Sequence, residues 1–326
     1  QSNDGLQLEL RRLDFAAALA NPPFAVAPSG SPVMESDSGS GDSGPTVSVN
    51  SPQAGRWYAV LANGNSSPAP VEIRADLAFE GSPLPPHRGL WEPNSRPGLG
   101  QGYDYNWGGS DRTLIWYTYD EAGQPTWYIA GSPPPAGNAW VSPLYRVTND
   151  GAQQQLAAVG RVAVTTLAED DALFSFTVFG ESGTDRMQPL SARSCPQVDG
   201  SERSYTGIWY RGVDGLGGAS VVVNAQTQAQ IHYLFDDAGS PRWLVAQDLD
   251  SPAPTNPDMP MLQFRGYCAV CSGAPPTFNT VGVLTRDFTT DTTGNWTLDY
   301  LFQTPLGGSV QRSDQIIKLT DTLECL

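Results

Sequence analysis

"TLIWYTYDEAGQPTWYIAG", residues 113–131, returns as "AQIHYLFDDAGSPRWLVA" at 229–246. In both stretches bulky residues alternate before an acidic turn and resume after it. That period of two belongs to β-strands, with successive side chains on opposite faces. Ile115, Tyr117 and Tyr119 share one face, as do Ile231, Tyr233 and Phe235. Both copies are apolar there, which predicts a core face. The opposite face has Leu114, Trp116 and Thr118 in one copy and Gln230, His232 and Leu234 in the other. It has drifted, which predicts a solvent or partner face. Between the strands, Asp120 or Asp236 can accept backbone N–H bonds as the turn begins. Gly123 or Gly239 supplies the positive φ of a short loop, and Pro125 or Pro241 starts the return strand. Trp127 and Ile129, or Trp243 and Val245, then continue the expected inward stripe.

The repeat extends outward from this hairpin. "GLW" at 89–91 matches "GIW" at 207–209, and "VGRV" at 159–162 matches "VGVL" at 281–284. Three units follow: residues 1–82, a first repeat at 86–193 and a second at 194–326, with "GSPLPP" (81–86) as linker. Copy one divides into eight strands: "RGLW", "QGYDYNW", "TLIWYTYD", "PTWYIAG", "AWVSPLYRVT", "LAAVGRVAVTTL", "LFSFTVFG" and "TDRMQPLS". Eight antiparallel strands in sequence can close into a barrel, which removes exposed edges; an open two-sheet sandwich competes. The predicted fold class is all-β: a small sandwich followed by two tandem eight-stranded antiparallel barrels or sandwiches. Gly (34) and Pro (28) support short strands and turns over long helices.

The first unit shows strands at 6–15, 24–28, 46–50, 55–64 and 71–79. Its "SPQAGRWYAVLANG" (51–64), followed by an alternating last strand, resembles the pre-peptidase C-terminal domain family. That resemblance implies a small β-sandwich of the kind appended to secreted bacterial proteases and other exported proteins. The "G-x-W … Y-D-x-x-G-x-P-x-W" pattern of the later units is similar to tandem repeats of exported Gram-negative bacterial proteins. It implies secretion and brings no catalytic residues with it.

A net charge of −16 repels nucleic acid and anionic membranes, so neither is an expected partner. No stretch has the 18 or so apolar residues of a spanning helix. Four cysteines, an even and low number, fit an oxidising compartment. Cys195 and Cys325 bracket copy two, which predicts a clasp. Cys268 and Cys271 predict a local staple, since no helical or second CxxC pattern accompanies them.

"GDSGP" (41–45) has the look of a trypsin-type nucleophile loop around Ser43. No histidine precedes it, and 42 residues cannot build the two barrels such a site needs. His87 falls in the Pro-rich linker, and His232 on the drifted face is expected half-exposed. Carboxylate pairs such as Asp120-Glu121 and Asp236-Asp237 sit in turns, where capping explains them. "MESDSGSGDSG" (34–44) offers carboxylates to a cation such as calcium but matches no calcium-loop spacing. Trp91, Trp209, Trp127 and Trp243 repeat and are expected core plugs. Trp107, Trp116 and Trp140 do not, and are either packing or a face for sugar or protein. The sequence therefore predicts a secreted or cell-surface, non-enzymatic structural subunit or binding module without a cofactor, with the periplasm a further location. Protein, polysaccharide or its own copies are the expected partners. A C-terminal accessory region of a larger secreted hydrolase, and a barrel holding a small ligand, are the alternatives.

Overall fold

The computed structural model describes residues 6–13, 33–37 and 56–63. It also describes residues 87–325 apart from 96–99, 109, 136, 152, 191–193, 212–216, 225–226, 249–256, 272, 274 and 323–324. The chain divides into two compact units, Gln1–Ala75 and Asp76–Leu326. In the first, β1 (Leu6–Leu13) pairs with β2 (Val33–Asp37) and β3 (Arg56–Asn63) in one antiparallel sheet. β2 takes up the start of the acidic "MESD" stretch. The expected strands at 24–28, 46–50 and 71–79, and the loop of Ser43, lie outside the described residues.

The second unit holds two closed up-and-down barrels. Barrel 1 runs β4 (Gly89–Pro93), β5 (Gly102–Gly108), β6 (Asp111–Tyr119), β7 (Pro125–Ser132), β8 (Ala139–Asn149), β9 (Gln154–Ala168), β10 (Asp171–Val178) and β11 (Glu181–Pro189). A small hairpin, β12 (Gln197–Val198) and β13 (Ser201–Glu202), follows. Barrel 2 runs β14 (Gly207–Tyr210), β15 (Gly218–Val223), β16 (Gln228–Phe235), β17 (Pro241–Asp248), β18 (Asp258–Arg265), β19 (Thr277–Phe288), β20 (Thr293–Leu301) and β21 (Ser309–Lys318). The sandwich alternative falls away because β11 pairs with β4 and β21 with β14, closing each circle. Every strand expected in copy one is present. Among the described residues there is no helix.

The "VG" motif marks equivalent corners. The β8–β9 ladder shifts register opposite Val159, and the β18–β19 ladder opposite Val281. These bulges bend the long strands. The glycines are dictated by the next strand. A Cβ on Gly160 would lie 1.7 Å from the Thr177 carbonyl oxygen, and one on Gly282 2.0 Å from that of Asp299.

The two faces of the strands are reversed from expectation. Leu114, Trp116 and Tyr128 line the interior of barrel 1 with Trp91, Tyr103, Tyr105, Trp140, Phe174 and Phe176. The ring of Trp116 lies 5.3 Å from Phe174 and 4.6 Å from Phe176. Trp116 (3% exposed) and Trp140 (1%) are thus barrel filling and present no surface for binding. His232 (1%) lines barrel 2 and is not half-exposed. The drift of this face has a physical reason. Each barrel packs its own interior, so the two copies can fill theirs with different side chains, provided the volumes fit.

The repeated face is buried for another reason. Leu90, Ile115, Tyr117, Tyr119, Trp127 and Val147 of barrel 1 form one cluster with Ile208, Val222, Ile231, Tyr233, Trp243 and Val245 of barrel 2. The barrels dock through equivalent surfaces, like the isologous interface of a two-fold dimer. The contacts come in reciprocal pairs. Trp127 Nε1 donates to the Leu234 carbonyl at 3.2 Å, and Trp243 Nε1 donates to the equivalent Thr118 carbonyl at 2.8 Å. Tyr117 meets Trp243 at 6.0 Å, and Tyr233 meets Trp127 at 5.6 Å. Trp127 and Trp243 are interface anchors, therefore, while Trp91 and Trp209 are the core plugs.

Candidate functional site

The acidic hairpins build both the docking and the site. Gly123 N bonds Asp120 O at 2.9 Å and Gly239 N bonds Asp236 O at 2.8 Å, closing the two turns. Each tip then grips the other barrel. Gly123 O accepts from Gly266 N at 3.1 Å, and Gly239 O accepts from Asn149 N at 3.0 Å. Arg242 ties the turns together, with Nε 2.7 Å from Asp236 Oδ2 and Nη1 3.0 Å from Asp120 Oδ2.

Beyond these grips the symmetry breaks. The β18–β19 connection, through its residues 266–271, reaches over the mouth of barrel 1. Its Ala269 packs against the interior cluster of that barrel, and Tyr267 O accepts from Gln101 Nε2 at 2.6 Å. The Cys268–Cys271 disulfide (Cα–Cα 4.9 Å) staples this plug. The equivalent β8–β9 connection, residues 150–153, is too short to do the same. Barrel 2 is covered in part by its own β20–β21 loop, whose Phe302 and Leu306 join its core. A cleft of about 350 Å³ remains at its mouth, lined by Asp150, Leu234, Asp237, Gly239, Tyr300 and Arg312 among others.

Arg312, which lines this cleft, leads into a polar network of barrel 2. Arg312 Nε lies 2.9 Å from Asp314 Oδ2, Arg211 Nη1 lies 3.3 Å from Asp314 Oδ1, and Trp296 Nε1 donates to Asp314 Oδ2 at 3.1 Å. Deeper in, His232 Nε2 is 3.1 Å from Gln230 Oε1, and its ring is 4.9 Å from that of Trp296. Burial pushes the His232 pKa down to about 3, with the Arg312 charge a smaller contribution in the same direction. Arg286 donates to Gln228 Oε1. Gln230 Nε2 is buried without a hydrogen-bond partner among the described residues.

A second polar cluster lies where the barrels meet. Asp104 accepts from Ser220 Oγ at 2.5 Å and from Asn106 Nδ2 at 2.5 Å, and Tyr233 Oη lies 2.7 Å from Ser220 Oγ. Asp104 opposes Ile115 in its ladder as Ser220 opposes Ile231, so the two are equivalent positions facing each other across the pseudo-two-fold. Burial raises the Asp104 pKa to about 7, offset in part by the Ser220 and Asn106 hydrogen bonds. An acid beside a serine invites a hydrolytic reading, but Asp104 and Ser220 are 1% and 0% exposed. His232 turns into barrel 2 and Ser220 away from it, so no histidine reaches this serine.

The remaining predicted residues fall elsewhere. Cys195 and Cys325 are joined, with Cα atoms 5.3 Å apart. His87 is buried, not part of an open linker. Its Nδ1 lies 3.4 Å from Asp170 Oδ1, and its carbonyl accepts from Trp91 Nε1 at 3.0 Å. Trp107 is half-buried, with the Arg88 guanidinium 3.9 Å above its ring. Among the described residues no group of three or more His, Cys, Asp or Glu is placed to hold a metal, and no helix is long and apolar enough to cross a membrane. Sequence reasoning missed Asp104, although an acid inside the aromatic run "GYDYNW" was a signal. It also missed Arg312 and Asp314, which had none. No family model, curated protein or solved structure matches the chain.

Proposed function

We propose that the chain is an exported, non-enzymatic protein that binds a protein or polysaccharide at a cell surface, and that the mouth of barrel 2 is its contact site. The observation that carries this reading is the asymmetry between the mouths. One is plugged by a stapled loop of its neighbour. The other keeps a cleft with carboxylates and a guanidinium at hand, groups suited to hydroxyls and amides. The burial of Asp104, Ser220 and His232 favours binding over turnover, because a reactive group must meet its substrate. The disulfides favour export.

The test is binding of the labelled full chain to cells and to a glycan panel. Ala238→Trp places a bulky ring on the exposed rim of the cleft and is expected to cut binding at least tenfold. Glu202→Trp, on the separate β12–β13 hairpin, is expected to leave it unchanged. Binding indifferent to Ala238→Trp, or turnover in a broad hydrolase screen, would contradict the proposal. The cleft also favours a second reading, in which it holds a small polar ligand. That ligand would protect the Tyr300 and Arg312 region from hydrogen exchange without any cell-surface partner.

A further inference from the structure

Both barrels close, yet among the described residues each leaves a stretch of strand edge unpaired. β9 and β19 are the longest strands of their barrels, at 15 and 12 residues. β9 pairs with β8 down to Gln154 but with β10 only from Gly160 onward. β19 pairs with β18 down to Thr277 but with β20 only from Gly282 onward. Past the bulges, then, residues 155–158 and 277–280 have a neighbouring strand on one side and, among the described residues, none on the other. All eight residues are exposed, including Leu156 (63%) and Phe278 (58%).

Open edges are templates for further strands, and proteins usually guard them with Lys, Pro or inward charges. These edges lack such guards. From Gly151 to Gly160 and from Cys271 to Thr285 the chain has no charged residue, and Pro275 and Pro276 stop short of the second edge. Neutrality is what singles out the occupant. At a net charge of −16, two copies of this chain repel each other over most of their surface. A neutral strand laid against a neutral strand brings no charged residue of either strand to the seam, and Asp150, bonded by Gln155 Nε2 at 3.1 Å, lies beside one end of it. The two edges are themselves equivalent, one per barrel.

We propose that these edges join copies of this chain by antiparallel strand addition, edge to edge, in the β-augmentation mode. Each molecule has two of them, so growth continues past the dimer into linear oligomers. This deepens the interaction role proposed above by naming a partner, the chain's own second copy, on strand residues that do not line the cleft, although the β9 edge runs on from the cleft-lining turn at Asn149, Asp150 and Gly151.

Sedimentation velocity and electron microscopy of the full chain, over a concentration series at low and high salt, test it. Oligomers are expected to lengthen with concentration and with salt, which screens the repulsion. Leu156→Lys or Phe278→Lys alone should stop growth at dimers, and the double variant should remain monomeric. Mixing the double Lys variant with Leu156→Glu/Phe278→Glu should restore oligomers, which simple misfolding cannot do. Ala238→Trp should assemble like wild type, so failure of the cleft reading and failure of this one are separate results. Wild type that stays monomeric throughout, or assembly unchanged in the double variant, overturns the proposal. So does a monomer in which the outward amides of 155–158, those that do not face β8, are already protected from exchange.

Discussion

Asp104 and His232 are ionisable groups sealed from water, and they pull stability in opposite directions with pH. The Asp104 pKa rises from an ordinary 3.8 to about 7 on folding. Between those values the folded chain keeps a proton that the unfolded chain releases. Its contribution is full below about pH 4 and is lost as pH rises through 7, by about 4 kcal/mol. The His232 pKa falls from 6.5 to about 3. There the unfolded chain binds the extra proton, so stability is full above about pH 6.5 and is lost as pH falls toward 3, by about 5 kcal/mol. The two slopes oppose each other between about pH 4 and 6.5. Denaturant titrations should therefore show little pH dependence from this pair in wild type. Asp104→Asn should unmask stability that rises with pH, and His232→Gln stability that falls. Parallel slopes in the two variants would contradict the assignment. The aromatic neighbours of Asp104 were legible in the sequence, but its partner Ser220, 116 residues away, was not.

At the scale of elements, the hairpin motif was read correctly as a strand–turn–strand, and its purpose was misread. A period of two fixes which residues share a face. It does not say which side of a barrel wall is inside when both sides are buried. Trp116 and Trp127 show the difference: the drifting face fills a barrel, and the repeated face docks one barrel on the other. The turn glycines test this. Gly151 and Gly239 both have positive φ, +90° and +71°. A Cβ on Gly151 meets nothing within 4 Å, whereas one on Gly239 would lie 1.8 Å from the Asn149 carbonyl oxygen of the other barrel. Gly151→Ala should cost about 1 kcal/mol, from backbone strain alone. Gly239→Ala should cost about 3 kcal/mol or more, because docking must also shift. Equal costs in equilibrium unfolding would mean that the tip is not pressed against its neighbour. The cleft was legible only in its turn residues, since barrel closure brings Tyr300 and Arg312 to a hairpin more than 60 positions earlier.

At the scale of the two-barrel unit, closure and docking carry different loads. The seam of barrel 2 is thin: Trp209 pairs with Lys318 and Tyr210 with Ile317. The Cys195–Cys325 bond lies just outside it and closes a separation of 130 residues. By chain entropy it stabilises by about 4–5 kcal/mol. Reduction without denaturant should raise hydrogen exchange first along β14 and β21, before barrel 1 responds. A simultaneous rise in both barrels would contradict the clasp. Docking is the larger claim, because the repeated sequence is spent on it. Its most direct measure is hydrogen exchange of the indole N–H groups by NMR. If the barrels are one body, the indoles of Trp127 and Trp243, bonded across the interface, exchange as slowly as those of Trp91 and Trp209 inside the barrels. Exchange of the first pair within minutes, while the second pair stays protected, would show the barrels parting without unfolding and would contradict this account.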